Sequence, residues 1–306
     1  MENNLSSPRR GGLGRLRGKE VERVSQHNKT ILITGCSTGI GRCVAEGLRA
    51  RGYRVFASAR RSADVTALEA EGFDGVRLDL DDPASIHDAV EQVLTQSGGV
   101  LHALFNNGAY GQPGAVEDLG RDVIRRQFET NVFGWLELTN QVIPVMRRQG
   151  HGRIIYNSSV LGFVAMPYRG AYNASKYAIE GLVDTLRLEL RGSGITVSLI
   201  QPGPITSAFR RNAYQAFKDH IDKSSSVHRV QYEAMEERLR KEGAVVPFTQ
   251  PPEAVLKRVM HALESPRPRI RYPVTFPTYL FATLKRILPQ RWLDYILISS
   301  SGGGRR

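Results

Sequence analysis

Glycines at 35, 39 and 41 stand where an apolar run gives way to a helical pattern, and no other segment restricts the fold of this chain as tightly. The run Lys29-Thr30-Ile31-Leu32-Ile33-Thr34 reads as a buried strand, and Val44, Ala45, Leu48 and Arg51 begin a helical repeat beyond the turn. Glycine permits the tight turn and lets the backbone approach a pyrophosphate, while free amides at the helix N-terminus attract its negative charge. An ordinary connection that uses glycine only for its backbone freedom is the plainer alternative. A strand before and a helix after favour a nucleotide cradle, with Gly35, Ser37, Thr38, Gly39, Ile40 and Gly41 as its candidate residues.

Helical and extended patterns then alternate over 42–51, 53–59, 62–71, 75–79, 83–97, 100–106, 117–149, 153–159, 170–191 and 195–201. This alternation predicts an α/β fold, a Rossmann-like doubly wound parallel sheet covered on both faces. With 306 residues and 41% hydrophobic content, the chain can bury that core as a single domain. In the helix expected over 170–191, Ala174, Ala178, Gly181, Thr185 and Leu188 make an inward stripe of mostly small residues. Such a stripe packs closely on the sheet or on a second copy of the chain, so a homo-oligomer is one of two readings.

The same helix carries Tyr172 and Lys176, four residues apart and therefore on one face. A tyrosine at its ordinary pKa of about 10 is a poor acid or base near neutrality, and a neighbouring cation lowers it. Ser159, thirteen residues before Tyr172, ends the strand-like run Arg153-Ile154-Ile155-Tyr156-Asn157-Ser158. Its hydroxyl can hydrogen-bond a substrate oxygen that Tyr172 protonates. Alone, the Tyr–Lys spacing is a weak signal, because a surface tyrosine packed on a lysine stem shows it too.

Together, Thr34-Gly35-x-x-x-Gly39-Ile40-Gly41, Asn106-Asn107-Gly108-Ala109, Asn131, Ser159, Tyr172-x-x-x-Lys176 and Pro202-Gly203 resemble the short-chain dehydrogenase/reductase family, from about Lys29 to Leu263. The stretches at 158–162, 169–172 and 269–274 resemble a bacterial group of largely uncharacterised oxidoreductases related to steroid and retinal reductases. The resemblance implies that Tyr172 is the acid/base, Lys176 its pKa modulator and a ligand of the nicotinamide ribose, and Ser159 the partner of the substrate oxygen. It implies that the backbone at Asn131 kinks a helix and holds a water near the lysine. Asn106 would contact or shape the adenosine side, although the family's Asn-Asn-Ala-Gly stands here with its last pair inverted. Asp79 matches an aspartate near adenine, with an ordinary strand-end aspartate as the alternative. Pro202 and Gly203 would lie beside the nicotinamide, with Thr206 holding its carboxamide. Residues 207–250, which mix Phe209, Tyr214, Phe217 and Tyr232 with many charges, resemble the family's variable substrate lid.

The strand Tyr53-Arg54-Val55-Phe56-Ala57-Ser58-Ala59 bears on the choice of dinucleotide. A fold selective for NAD places an acid near this strand's end, about twenty residues past the glycines, to bond the ribose hydroxyls. Ala59 stands there instead, followed by Arg60 and Arg61, with Arg42 just after the glycine turn. A 2′-phosphate would meet positive charge and no carboxylate, so NADP(H) is the expected cofactor.

The tails hold nearly all of the net charge of +12. Residues 1–28 carry six Lys/Arg against three Asp/Glu, and 266–306 carry eight against one, so the intervening body is close to neutral. Without a stacking or groove-reading motif this charge does not indicate nucleic acid. Residues 1–28 lack an apolar signal segment and read as a disordered basic tail, ahead of a catalytic domain over 29–265. An apolar extension follows over 266–298, then a flexible tail over 299–306. Two prolines and its short apolar stretch argue against a bilayer span. The favoured reading packs the extension over the cleft or against a partner subunit, and the other lays 274–298 on a membrane surface as an amphipathic helix. Cys36 and Cys43 suggest no disulfide and fit a reducing cytoplasm, and no Cys/His cluster has metal-ligand spacing.

The sequence therefore points to an NADP(H)-dependent oxidoreductase that reduces an apolar aldehyde or ketone, reversibly. Two other classes fit parts of it: a non-catalytic sensor of NADP(H), and a membrane-recruited binding protein. Retention of Tyr172, Ser159 and Lys176 together argues for chemistry.

Overall fold

The structure, a computed structural model, describes residues 29–301 except 242, 244 and 245. The expected tail over 1–28, and the part of the expected C-terminal tail beyond Ser301, lie outside the described residues. The strands are β1 (Thr30–Ile33), β2 (Arg54–Ala59), β3 (Asp74–Arg77), β4 (Ala103–Asn106), β5 (Gly152–Asn157), β6 (Ile195–Gln201) and β7 (Arg271–Pro273). All pair in parallel, in the order β3-β2-β1-β4-β5-β6-β7. The chain winds outward from β1 to β3 and then returns to place β4 on the other side of β1. The carboxyl ends of β1 and β4 thus flank a topological switch point, the crevice where ligands collect in such sheets.

Helices cover both faces, as the alternation predicts. Leu32, Phe56 and Leu104 face a cluster with Trp135, Leu138 and Ile179, on α5 (Gly134–Gln149) and α6 (Gly170–Glu189). Ile31, Ile33 and Val55 face the opposite way, against Val44 and Leu48 of α1 (Gly39–Arg49) and Val255 and Val259 of α9 (Glu253–Glu264). Successive residues of a strand point to opposite faces, so a strand with both faces covered reads as a continuous apolar run, as β1 does from Ile31 to Ile33. Between these elements lie α2 (Ser62–Ala70), α3 (Pro83–Ser97), α4 (Arg121–Phe128), α7 (Phe209–His220) and α8 (Arg229–Arg240). The helix α3 shows how local chemistry sets boundaries: the Asp82 side chain accepts from the Ala84 amide, Pro83 opens the helix, and Gly98 ends it at a φ of 70°.

Three expectations need correction. The segment 117–149 is not one helix, because a π-helical turn over Glu129–Phe133 separates α4 from α5. There Gly134 abuts the backbone before α3; a Cβ on it would stand 2.0 Å from the Leu80 carbonyl oxygen. The small-residue stripe of α6 faces outward: Ala174, Gly181, Thr185 and Leu188 are exposed, and Ser175, Lys176, Ile179, Glu180 and Val183 are buried. The extension expected over 266–298 begins by adding β7 to the sheet and ends in a helix that runs to Ser300.

That extension folds back over the cleft. Phe281 of α10 (Phe276–Ile287) and Leu293 and Leu297 of α11 (Gln290–Ser300) pack on Val160 and Val164, which follow β5. Gly203 admits the approach, since a Cβ there would lie 2.1 Å from the buried Thr275 Oγ1. Among the described residues, no helix is long and apolar enough to cross a membrane.

Candidate active site

The glycine turn is held from below by asparagines. Gly35 and Gly39 take φ values of +71° and +63°, in the left-handed region that disfavours side chains. A Cβ on Gly41 would stand 2.2 Å from the Gly35 carbonyl oxygen and 2.6 Å from Asn107 Nδ2. Asn107 Nδ2 donates to the Thr34 carbonyl at 2.8 Å, and its Oδ1 accepts from Asn157 Nδ2 at 2.9 Å. One side chain thus ties the ends of β1, β4 and β5. The Thr38 side chain makes no capping hydrogen bond and α1 has no acid in its first turn, so its leading amides are available to a phosphate. This cradle fits a dinucleotide pyrophosphate.

A cavity of about 730 Å³ starts at Gly35, Ser37, Thr38, Gly39 and Ile40. It continues past Asn107, Ser159, Tyr172 and Lys176 to Pro202, Gly203 and Thr206. The switch point therefore joins most of the residues singled out from the sequence. Four expected cofactor residues stand apart from its wall: Gly41, buried under the turn, and Arg60, Asp79 and Asn106. Asn106 is fully buried and donates through Nδ2 to Thr139 Oγ1 at 3.0 Å, and it is the next residue, Asn107, that borders the cavity. Asp79 accepts from the Asp81 amide at 3.2 Å, the local turn role of a strand-end aspartate. Arg61 is engaged by Asp64 at 2.8 Å, and Arg42 by Glu46 and Glu71. Arg60 is exposed and has no ion-pair partner among the described residues.

Lys176 is 1% exposed, with its Nζ 2.8 Å from the Asn157 carbonyl oxygen and 4.1 Å from the Trp135 ring centroid. Its distance to the Tyr172 ring centroid is 5.6 Å. Trp135 is fixed in turn by donating to the Gly108 carbonyl at 2.8 Å. Asn131 sits inside the π-helical turn, as the expected kink requires, and its Nδ2 donates to the Tyr110 carbonyl at 2.9 Å and to Ser175 Oγ at 3.2 Å. Ser175 Oγ donates to the Tyr172 carbonyl at 2.8 Å, so Asn131 steadies the first turn of α6. Ser159 Oγ accepts from the Leu161 amide at 3.1 Å, which starts a short turn over Val160–Gly162 and holds the hydroxyl toward the cavity.

Burial dominates the electrostatics of both groups. Burial pushes the Tyr172 phenol up to about 12, opposed by the neighbouring Ser159 hydroxyl and then by the charge of Arg169. Burial lowers Lys176 to about 7, opposed by the Glu180 carboxylate. The Lys176 amine lies against the Asn157 carbonyl and the Trp135 face, with the Tyr172 ring next to it, and Arg169, three residues before Tyr172, is a further cation that acts on the hydroxyl.

Sequence reasoning missed Arg169, Asn107, Asn157, Trp135 and Glu180. Arg169 and Glu180 follow the same i, i+3 and i+4 rule that paired Tyr172 with Lys176, so their spacing was legible. Trp135 and Asn157 reach the site only through the fold and carry no local signal.

A doubly wound sheet with a glycine cradle and a Tyr–Lys pair, its lysine buried, at the switch point defines a dinucleotide-dependent oxidoreductase. The family model of short chain dehydrogenases matches residues 29–217, and the chain belongs to the short-chain dehydrogenase/reductase family. It is similar to the uncharacterized oxidoreductase YbbO of Escherichia coli K12, at 42% identity over 88% of this chain and 94% of that protein. It is also similar to human 17-beta-hydroxysteroid dehydrogenase type 1, at 32% identity over 84% of this chain and 80% of that one. A short chain dehydrogenase/reductase from Burkholderia phymatum, solved in complex with NAD, superposes with a TM-score of 0.71 at 24% identity, covering 85% of this chain and 92% of that one. This last likeness establishes the fold alone.

Lys176 also makes stability depend on pH. Its pKa of about 7 in the folded chain lies below the ordinary value of 10.5, so between these values the unfolded chain binds more protons and stability rises with pH. Tyr172 acts in the opposite sense only between 10 and about 12. In urea unfolding from pH 7 to pH 9, wild type should gain stability more steeply than Lys176→Met, by at most about 1.4 kcal/mol per pH unit. Equal slopes would mean that the buried amine titrates normally.

Proposed function

We propose that this chain is an NADP(H)-dependent reductase of apolar aldehydes or ketones, working reversibly. The observation that carries the reading is that the Tyr172 and Ser159 hydroxyls, the buried Lys176 amine and the glycine cradle border one cavity. When bound, the reduced nicotinamide supplies the hydride that the carbonyl carbon accepts. Tyr172 donates its proton to the carbonyl oxygen, and Ser159 donates a hydrogen bond to the same oxygen as negative charge develops there. Lys176, with an amine that titrates near neutrality, holds the ribose and passes protons toward the phenol. Asn131 positions both through Ser175. In the reverse direction the Tyr172 phenolate takes the alcohol proton.

Several features support the finer assignments. The end of β2 offers a 2′-phosphate the unpaired Arg60 and the small Ala59, with no acid at that position. Val160, Leu161, Met166, Phe209, Leu239 and Phe281 give the cavity an apolar wall suited to a greasy substrate. The outer faces of α10 and α11 favour a second property, contact with an anionic membrane surface. Ile287, Trp292 and Tyr295 are 67%, 67% and 72% exposed beside Lys285, Arg286 and Arg291. Phe276 and Leu280 belong both to the cavity wall and to the exposed apolar surface, so this face borders the cavity.

Tyr172→Phe should bind NADPH as wild type does and lose turnover by about 10²–10⁴-fold, measured as NADPH oxidation with a long-chain aldehyde. Undiminished turnover would discard the proton-donor assignment. Arg60→Gln should reduce the ratio of kcat/KM for NADPH over NADH by about ten-fold or more. A wild type faster with NADH would overturn the cofactor choice. Vesicles containing phosphatidylglycerol should sediment the wild type but not Trp292→Ser/Tyr295→Ser, while NADPH-dependent turnover in solution is retained. Equal sedimentation of the two proteins would remove the membrane reading. Substitution is the right test here, because deleting α10 would also open the cavity.

A further inference from the structure

We infer that the substrate end of the cavity holds an oxyanion, gripped by Arg169, Arg210 and Arg238, so that the preferred substrate is a carbonyl compound with an apolar body and a carboxylate or phosphate at its far end. This rests on the reductase reading and narrows its substrate class. Three separate elements bring the arginines to one cavity wall: Arg169 directly precedes α6, Arg210 lies in the first turn of α7, and Arg238 in the last turn of α8.

No carboxylate answers them in that wall. The described residues lining the cavity include Lys176 and these three arginines, and no Asp or Glu. Arg238 Nη1 donates to the Ser301 carbonyl at 3.1 Å, and Arg210 Nη2 donates to the Gly243 carbonyl. Arg210 Nη1 is buried and has no hydrogen-bond partner among the described residues. Arg169 has neither a side-chain hydrogen bond nor an ion pair among them. Like charges also crowd one another. Burial and then the charge of Arg238 lower Arg169 to about 10, and burial and then the charge of Arg210 lower Arg238. Half-buried cations without a counter-charge are costly, and an anion that binds among them relieves the cost. Guanidinium forks match the paired oxygens of carboxylate and phosphate.

Position assigns the cluster to the substrate and not to the dinucleotide. Arg169 acts electrostatically on the Tyr172 phenol, and Phe209, beside Arg210, packs edge-on to the Tyr172 ring at 5.3 Å between centroids. The glycine cradle belongs to other elements of the same cavity, β1 and α1, and borders the segment before Arg210 through Gly39, where a Cβ would stand 3.1 Å from Ser207 Cβ. Met166, Phe209 and Leu239 supply apolar surface in the same wall.

The test uses the full chain with NADPH and four aldehydes of one chain length: an n-alkanal, an ω-oxo carboxylate, its methyl ester and an ω-oxo alkyl phosphate. Wild type should favour one or both anionic aldehydes over the ester by about ten-fold or more in kcat/KM, chiefly through KM, and the two anionic arms tell which oxyanion fits. Arg169→Gln and Arg238→Gln should each move that ratio toward one, and Arg238→Lys should keep part of it. The ratio cancels any loss of active protein common to all substrates. Reduction of the neutral aldehydes without an anionic preference would overturn the inference and leave the reductase reading intact. A preference that survives both Gln variants, or a loss of NADPH affinity by nicotinamide fluorescence in place of the loss of preference, would overturn it as well. If no aldehyde is reduced, the reductase reading falls and this inference with it.

Discussion

A lysine ammonium taken out of water is the constraint around which this site is built. Lys176 is fully covered, and an isolated buried ammonium costs several kcal/mol unless neighbours compensate it. Compensation comes from three directions: the Asn157 carbonyl, the face of Trp135, and the Glu180 carboxylate one helical turn on. Glu180 in turn accepts from Ser158 at 2.6 Å, Gln201 at 2.9 Å and Arg271 at 3.1 Å. Those partners lie just after β5, at the end of β6 and in β7, so the carboxylate that supports the amine also fixes the sheet edge on which the C-terminal extension is laid.

The phenol is set apart from this network. It is raised by burial like any enclosed tyrosine, and what lowers it is Ser159 and Arg169. The two groups are thus held by different neighbours: the amine by Asn157, Trp135 and Glu180, the phenol by Ser159 and Arg169. The Asn131 turn joins the two parts through Ser175, which is why a π-helical irregularity between α4 and α5 persists where a regular helix would otherwise run.

What the sequence disclosed and what it hid follow from the range of the interactions. The glycine turn, the alternation of strands and helices and the Tyr172–Lys176 pair are local patterns, and all were legible. The stripe on α6 was misplaced because hydrophobic periodicity treats Lys176 and Glu180 as outward residues, whereas this fold buries them and turns Ala174 and Gly181 to solvent. Motif position points to Asn106, but the one-residue alternation of a strand end sends Asn106 into the core and leaves Asn107 at the cavity. The strand β7 gave no periodic signal, being three residues long with an arginine and an edge proline. Arg210 and Arg238 lie far from Arg169 in sequence and meet it only after α7 and α8 are folded over the cleft.

An oxyanion seated on that cluster would also affect the chemistry at Tyr172. The charge of Arg169 is one of the two influences that hold the phenol below the level burial alone would set. An anion paired with Arg169 cancels part of that charge at the hydroxyl, so the phenol keeps its proton more firmly. With a pKa already at about 12, the phenol is protonated throughout the neutral range with or without the anion, so reduction finds its proton donor in place either way. What the anion would change is the other direction: oxidation needs the phenolate, and pairing Arg169 would move its formation to higher pH. The substrate's tail and the basicity of the tyrosine would thus be linked through a single residue, Arg169.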